Sequence, residues 1–405
     1  MPLYIEIAKR YLLSVKNKAL SFMTVISLLG IVVGVAALII TLGVMNGFQY
    51  GLKQKILETA PHVVIMKIVN DFKVEEVNKL APKIKSLQDV EAFEPFIYSQ
   101  TLASVGSSVE SVFVRGVDPE KDKKVMGIHK HIVSGSYDSI KQDNTVIIGK
   151  DLAVALGLSI GDTFNLMSPF GRKTPFGYIP KILKVKVGGI AYFGMFEYDS
   201  SFVGMNLKTA QRLLDMKGRI TGIQLKLKDP YKAQLVKEKL EEQLDPLYIV
   251  RTWIDMNKSL FQALEFEKLA MFLVITLIVI VASFNISSLL ITKAREKRKD
   301  VAILKTLGAD RGFILKVFLW QGMILGILGT TLGVLIGVVV VYVADTYHLV
   351  KLNPEVYMMS YLPLKVSALD VMLVAISSLI ICFISSIFPA YFASKEIPAE
   401  VLRYE

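Results

Sequence analysis

Residues 19–52 include no charged side chain. A helix needs about 20 apolar residues to cross a bilayer, and 22–45 supplies them. Residues 269–292, 317–344 and 371–392 repeat the signal, with no Lys, Arg, Asp or Glu in any of them. The chain is therefore expected to cross a membrane four times, at 21–45, 268–292, 317–344 and 368–392. Spans without ionisable residues argue against a proton or ion pathway through them. Work done outside the membrane must then be powered from elsewhere.

The formal net charge is +11, and it gathers beside the apolar runs. Residues 1–20 read as an amphipathic interfacial helix. Tyr4, Ala8, Tyr11, Leu12 and Val15 form its apolar stripe, while Glu6, Lys9, Arg10 and Lys16 lie off it. The alternative is a helix packed on protein. The 293–316 loop is also basic and the tail brings Lys395 and Arg403 near a span end, whereas the 345–367 loop has only Lys351 and Lys365. Positive-inside counting puts both termini in the cytoplasm and residues 46–267 outside. Topology accounts for much of the charge. No phosphate-tracking basic stripe interleaved with aromatics is present, so nucleic acid is not an expected partner. No cleavable signal peptide is expected, because the first apolar run is too long.

Residues 46–267 switch to frequent charges and short apolar runs. Strands are expected at 62–69 and 89–105 with a helix at 73–86 between them; strands at 220–228 and 247–253 flank a helix at 230–243. The fold class is thus an α-helical membrane protein with a large α+β extracytoplasmic domain between spans one and two. That domain is read as a split βαβ platform, 60–105 and 219–253, carrying a mostly β insert at 106–218. Strands at 110–117, 144–149, 161–167, 181–193 and 199–205, with short helices at 150–157 and 207–216, fill the insert.

Within the insert, 168–180 reads SPFGRKTPFGYIP. Prolines and glycines forbid a regular central strand there. The flanking strands would make it a protruding hairpin loop. Phe170, Phe176 and Tyr178 beside Arg172, Lys173 and Lys181 suit a binding surface. A loop folded back on its own domain is the alternative.

Between the second and third runs, 291–322 opens with Lys293, Arg295, Lys297, Arg298 and Lys299. A short helix follows, with Val301, Leu304 and Leu307 on one side. Gly308 sits where a helix C-terminus favours a left-handed residue, and Asp310 where the next helix wants its N-cap. A helix pinned so between two spans moves only when they move. It is either a coupling element or a charged loop that sets topology. Inside the spans, Asn285 needs an amide partner on another helix, and Gly322, Gly326, Gly329, Gly333 and Gly337 form a stripe suited to close helix packing. Gly30 and Gly34 form a similar pair.

Residues 300–309, DVAILKTLGA, followed by Trp320, Gln321 and Gly322, resemble the loop of the four-span ABC transporter permeases. That superfamily holds lipoprotein-releasing, macrolide-efflux and cell-division permeases. The end of the first span, VMNGF at 44–48, is similar to that of the lipoprotein-releasing permeases. Pro169, Gly171 and Arg172 match their chaperone hook residue by residue, and Phe170, Pro175, Phe176 and Tyr178 match it in kind. The tail at 389–403 also resembles the superfamily.

The resemblance implies that the loop docks on a separate cytoplasmic ABC ATPase dimer through Arg298, Asp300, Val301, Leu304, Leu307 and Gly308. It implies a second permease subunit, identical or sister, and a lipoprotein substrate whose acyl chains pass Met45, Asn46 and Phe48. A periplasmic carrier chaperone would receive the cargo, and the location would be the bacterial inner membrane, among membrane lipids. ATP and Mg would sit on the partner, with no cofactor in this chain. A tripartite efflux permease or a cell-division regulator without cargo is the rival reading; the first usually carries a fused ATPase, the second a smaller outer domain.

The chain itself holds no GxxxxGK[ST], HExxH or GxSxG motif, so it is not expected to be an enzyme. Cys382 is its one cysteine, which excludes an internal disulfide. His129 and His131 lack nearby carboxylate or thiol ligands and make a poor metal site.

Overall fold

The computed structural model describes residues 2–13, 18–69, 72–168, 172–174, 177–353 and 361–397. It divides into two compact units. One comprises 1–50, 263–350 and 362–405, and the other 51–262 with 351–361.

Among the described residues, three helices are long and apolar enough to cross a membrane: Phe22–Thr59, Arg311–Thr346 and Ala368–Ser394. The expected second span falls within a further helix, Lys258–Glu296. Each helix outruns its expected span. The first runs from Lys18 to Thr59 because nothing breaks it before Pro61, which disfavours helix in the residue ahead of it. Asp310 caps the Arg311–Thr346 helix, its carboxylate accepting from Phe313 N at 2.9 Å. Ser367 and Asp370 form a capping box on Ala368–Ser394.

Pro389 lies inside the last helix, which continues to Ser394. Proline has no N–H for the carbonyl four residues back, here that of Ser385. The Ser287 hydroxyl, from the Lys258–Glu296 helix, donates to that carbonyl at 2.7 Å.

The glycine stripe divides its contacts. A Cβ on Gly326 would lie 2.8 Å from Cys382, and one on Gly322 would collide with Ser386. Both neighbours belong to the Ala368–Ser394 helix. A Cβ on Gly329 would meet Ile31 at 2.7 Å, on Gly333 Val35 at 2.7 Å, and on Gly337 Ile39 at 2.9 Å, all on the first helix. One helix thus uses two ends of one stripe to seat two neighbours. Ser27 donates to Asn285 Oδ1 at 3.2 Å, and a Cβ on Gly30 would lie 3.0 Å from Asn285 Nδ2. The buried core of this unit joins Ile31, Val35 and Ile39 to Ile286, Leu290, Leu325 and Cys382.

The N-terminal helix is Leu3–Leu13, and its stripe faces protein. Ala8 is fully buried, the Tyr4 ring meets Phe313 edge-on at 6.5 Å, and the buried Lys293 ammonium donates to Tyr11 O at 3.3 Å.

In the second unit, the platform strands Val63–Lys67, Val90–Val105, Gly222–Leu227 and Tyr248–Thr252 lie close to their expected positions. Their sheet order is Tyr248–Thr252, Val63–Lys67, Gly222–Leu227, Val90–Val105, with antiparallel neighbours throughout. Each βα unit is therefore split by a strand of the other. The helices Val74–Lys85 and Ala233–Gln243 bury Val77, Leu80 and Ile84, and Val236 and Leu240.

The structure moves the platform–insert boundary from 105/106 back to Phe96/Ile97. Through Phe96, the Val90–Val105 strand pairs with Gly222–Leu227. From Ile97 it pairs with Ser108–Val117. One 16-residue strand, Val90–Val105, thus serves both parts. The sheet continues through Ser108–Val117, Phe202–Asn206, Thr145–Gly149, Ile182–Ala191 and Ile132–Gly135. The strand expected at 199–205 starts at Phe202, because Phe196–Ser201 is helical.

Candidate functional site

The loop between the second and third apolar runs folds as the helix Arg298–Thr306. Gly308, at φ +102°, turns the chain out of it, and Ala309 N donates to Leu304 O at 3.0 Å. Asp310 starts the next helix directly, so the element has a rigid exit.

Its residues divide differently from the expected single docking face. Val301 is 1% exposed and packs with Ala294, Ile314, Phe318, Ala390 and Ala393; Leu304 lies partly buried on the same core. Leu307 is 79% exposed and Ile303 49%. At 3.6 residues per turn, Leu307 lies about 120° around the helix from Val301 and about 40° from Ile303. The apolar surface open to a partner is thus Ile303 with Leu307. Asp300 pairs with Lys297 at 3.3 Å.

The inner side is tied to the chain's end. Arg298 Nε donates to Glu396 Oε2 at 2.5 Å. Lys305 Nζ donates to the carbonyls of Ser394 at 2.6 Å and Glu396 at 2.7 Å. Ser394 is the last residue of its helix, so Lys305 caps an otherwise orphan carbonyl. Two side chains nearly two turns apart thus fasten the short helix to the end of the Ala368–Ser394 helix. Sequence reasoning missed this clamp; two basic residues on one helix face, Arg298 and Lys305, and a tail with the acids Glu396, Glu400 and Glu405 were its only signal.

The VMNGF segment lies in the helix Lys18–Thr59. Met45 is buried and Phe48 half-buried. Asn46 Nδ2 donates to Asp370 Oδ2 at 2.8 Å, and Lys365 N donates to Gly43 O at 2.9 Å. Gly47 lies so close to the Pro363 carbonyl that a Cβ would collide. The Lys365 ammonium sits 3.1 Å above the Tyr50 ring centroid. The motif is therefore where residues 363–370 lock onto the first helix, and of its three expected cavity residues Asn46 lines an open cleft there.

In the expected hook, Pro169, Phe170, Gly171, Pro175 and Phe176 lie outside the described residues. Arg172–Thr174 pairs antiparallel with Gly177–Ile179, which sets Arg172 opposite Ile179 and Lys173 opposite Tyr178. Below it, Thr163–Met167 pairs with Ile182–Ala191, and Ser168 N donates to Lys181 O at 2.9 Å. The described residues of the segment form a short antiparallel ladder.

His131 packs on Phe193 at 4.9 Å and His129 on Tyr137 at 5.9 Å. Among the described residues no group of three His, Cys, Asp or Glu side chains is placed to hold a metal.

Two family models match the chain: the MacB-like periplasmic core domain over 24–243 and the FtsX-like permease C-terminal region over 272–398. The lipoprotein-releasing system transmembrane protein LolC of Neisseria meningitidis is 36% identical, over 98% of this chain and 98% of its own length. LolC of Xylella fastidiosa is 31% identical over 100% of this chain and 99% of its own. The lipoprotein-releasing system transmembrane protein LolE of Haemophilus influenzae is 28% identical over 96% of this chain and 95% of its own.

Proposed function

The chain belongs to the family of lipoprotein-releasing system transmembrane proteins, and on that premise we propose that it is the permease subunit of an ATP-driven transporter that lifts acylated lipoproteins from the inner membrane. The observation that carries this is full-length similarity to LolC at 36% identity. The two family models by themselves are shared with efflux and cell-division permeases; end-to-end similarity to lipoprotein-releasing relatives favours release.

Burying acyl chains is worth about 0.8 kcal/mol per CH₂, so a multiply acylated protein does not leave a bilayer unaided. The chain has no P-loop sequence, and ATP and Mg belong to a partner ATPase dimer in the cytoplasm. That partner docks on the exposed Ile303 and Leu307. The Arg298–Glu396 and Lys305–Ser394 contacts pass its motion to the Ala368–Ser394 helix.

The Lys258–Glu296 helix supplies the second of four spans, and both termini are cytoplasmic. A reporter at residue 150 then reads outside and one at 303 inside. A second permease, identical or sister, completes the cavity, and acyl chains enter beside Met45, Asn46 and Phe48. The 168–180 hairpin tip hooks the periplasmic carrier chaperone with Pro169, Phe170, Gly171 and Arg172, assisted by Pro175, Phe176 and Tyr178. Arg172→Glu with Phe170→Ala then abolishes chaperone capture and leaves ATP hydrolysis intact.

Co-purification with mass spectrometry tests the assignment. The expected companions are an ABC ATPase, a permease chain and a bound lipoprotein. An ATPase accompanied by periplasmic division factors, or by an efflux adaptor and no lipoprotein, would overturn it.

A further inference from the structure

The second unit encloses a cavity of ≈ 430 Å³ among the platform sheet, the insert and the turn after Thr59. That volume lies within the range of small-ligand sites. Its walls are mainly apolar. Tyr98 and Phe113 stack there at 5.4 Å and 7°. Met66, Met195 and Met256 line it as well, and thioethers reshape readily around flexible chains.

One wall holds a buried cation, and the exposed Arg251 and Glu197 also line the cavity. Arg115 lines the cavity and is 4% exposed. Its guanidinium donates to Gln224 Oε1, and Gln224 Nε2 donates to Glu94 Oε1 at 2.6 Å. The Arg115 Nε–H has no acceptor among the described residues. A buried donor left unmet is costly. Burial, with the nearby Asp122, holds the Glu94 carboxyl well above the ordinary range. Phe96, 5.7 Å from the guanidinium carbon, offers it only a ring face.

We propose that this cavity binds one fatty-acyl chain whose head oxygen, carboxylate or ester carbonyl, accepts from Arg115. An apolar body with one oxygen-bearing head matches a mainly apolar wall that carries the Arg115 guanidinium. Neither a peptide, with its many amide groups, nor a bare hydrocarbon matches both. That the chain arrives on a lipoprotein in transit rests on the proposed function; a membrane phospholipid or free fatty acid offers the same chemistry.

The test uses the full-length protein in lipid nanodiscs, with three photoactivatable probes carrying a mid-chain diazirine: palmitate, phosphatidylethanolamine and a synthetic triacylated lipopeptide. Labelled peptides are mapped by mass spectrometry. At least one probe is expected to label peptides containing Met66, Met195 or Met256, and which probe does so identifies the source. Met195→Trp, which fills the cavity, and separately Arg115→Gln, which removes the guanidinium, are each expected to cut that labelling by about tenfold, equivalent to about 1.4 kcal/mol. Labelling of the Arg311–Thr346 helix by membrane-dissolved probe serves as the reference and should not change. Met256→Trp, at a position 38% exposed, repeats the block if Met195→Trp fails to fold. Labelling confined to the membrane helices, or undiminished by either tryptophan, overturns the proposal. Co-purification of ATPase and lipoprotein is independent of this result, so the two readings fail separately.

Discussion

Arg298 and Glu396 stand 98 residues apart in sequence and 2.5 Å apart in space. The pair ties the first turn of the Arg298–Thr306 helix to the residues just past the Ala368–Ser394 helix. Exposed ion pairs contribute about 0–1 kcal/mol to stability, so this one matters for geometry. Arg298→Glu and Glu396→Arg should each lower lipoprotein released per ATP hydrolysed, by about fivefold, the low end of couplings between sites. Thermal stability should change little. The double charge swap should recover most of the loss. Release by the swap no better than by either single variant would show that the pair carries no motion.

The proposed docking puts the ATPase on the exposed face, Ile303 with Leu307. Leu307→Asp should abolish ATPase co-purification while the permease keeps its melting temperature, because that side chain is 79% exposed. Val301→Asp should instead reduce folded yield, since an unpaired carboxylate would enter the core at a cost of several kcal/mol. If Val301→Asp folds normally and Leu307→Asp still binds the ATPase, the helix is docked the other way round.

Helix seating depends on the glycine stripe. Gly333→Leu should destabilise the membrane unit by about 1–3 kcal/mol, the usual range for overpacking. Its Cβ would stand 2.7 Å from Val35 and 2.9 Å from Val32 O. Leu332→Ala, at a position 45% exposed, is the control and should shift a detergent thermal melt by less than about 0.5 kcal/mol.

Opposed titrations tune the outer unit. Burial lifts the Asp122 carboxyl from 3.8 to about 6, with Tyr137 and Arg115 opposing the rise. A raised folded pKa makes its contribution fullest below 3.8, and that contribution is lost as pH rises toward 6. Burial, with Lys226, depresses His62 from 6.5 to about 4. Its contribution is full above 6.5 and is lost as pH falls toward 4. The wild-type profile between pH 4 and 6.5 should therefore be shallow. Asp122→Asn should expose the His62 slope, with stability rising steadily through that window. A profile unchanged by the substitution would mean that Asp122 titrates normally.

The membrane helices were legible because bilayer thickness enforces long apolar runs, and the caps at Gly308 and Asp310 because backbone geometry dictates those residues. Platform strands and helices followed from period. Long-range partners were not legible. Nothing local shows that Ser287 satisfies the carbonyl freed by Pro389, or that Glu396 reaches Arg298. Val301, Leu304 and Leu307 looked equivalent because apolar spacing alone cannot tell a chain's own core from a partner's cleft. Arg115 sat in the apolar end, VFVRGV, of the strand SVESVFVRGV, and that misfit was a sign of a buried polar network.

The most direct measurement is ATP-dependent release from proteoliposomes. The chain is reconstituted with its ATPase and permease partners and a fluorescent triacylated lipoprotein, and soluble carrier chaperone is added outside. The expected result is transfer to the carrier that requires ATP, the carrier and the acyl chains. Hydrolysis with the lipoprotein still in the bilayer, or transfer equally fast without ATP, would contradict the assignment of this chain as a lipoprotein-releasing permease.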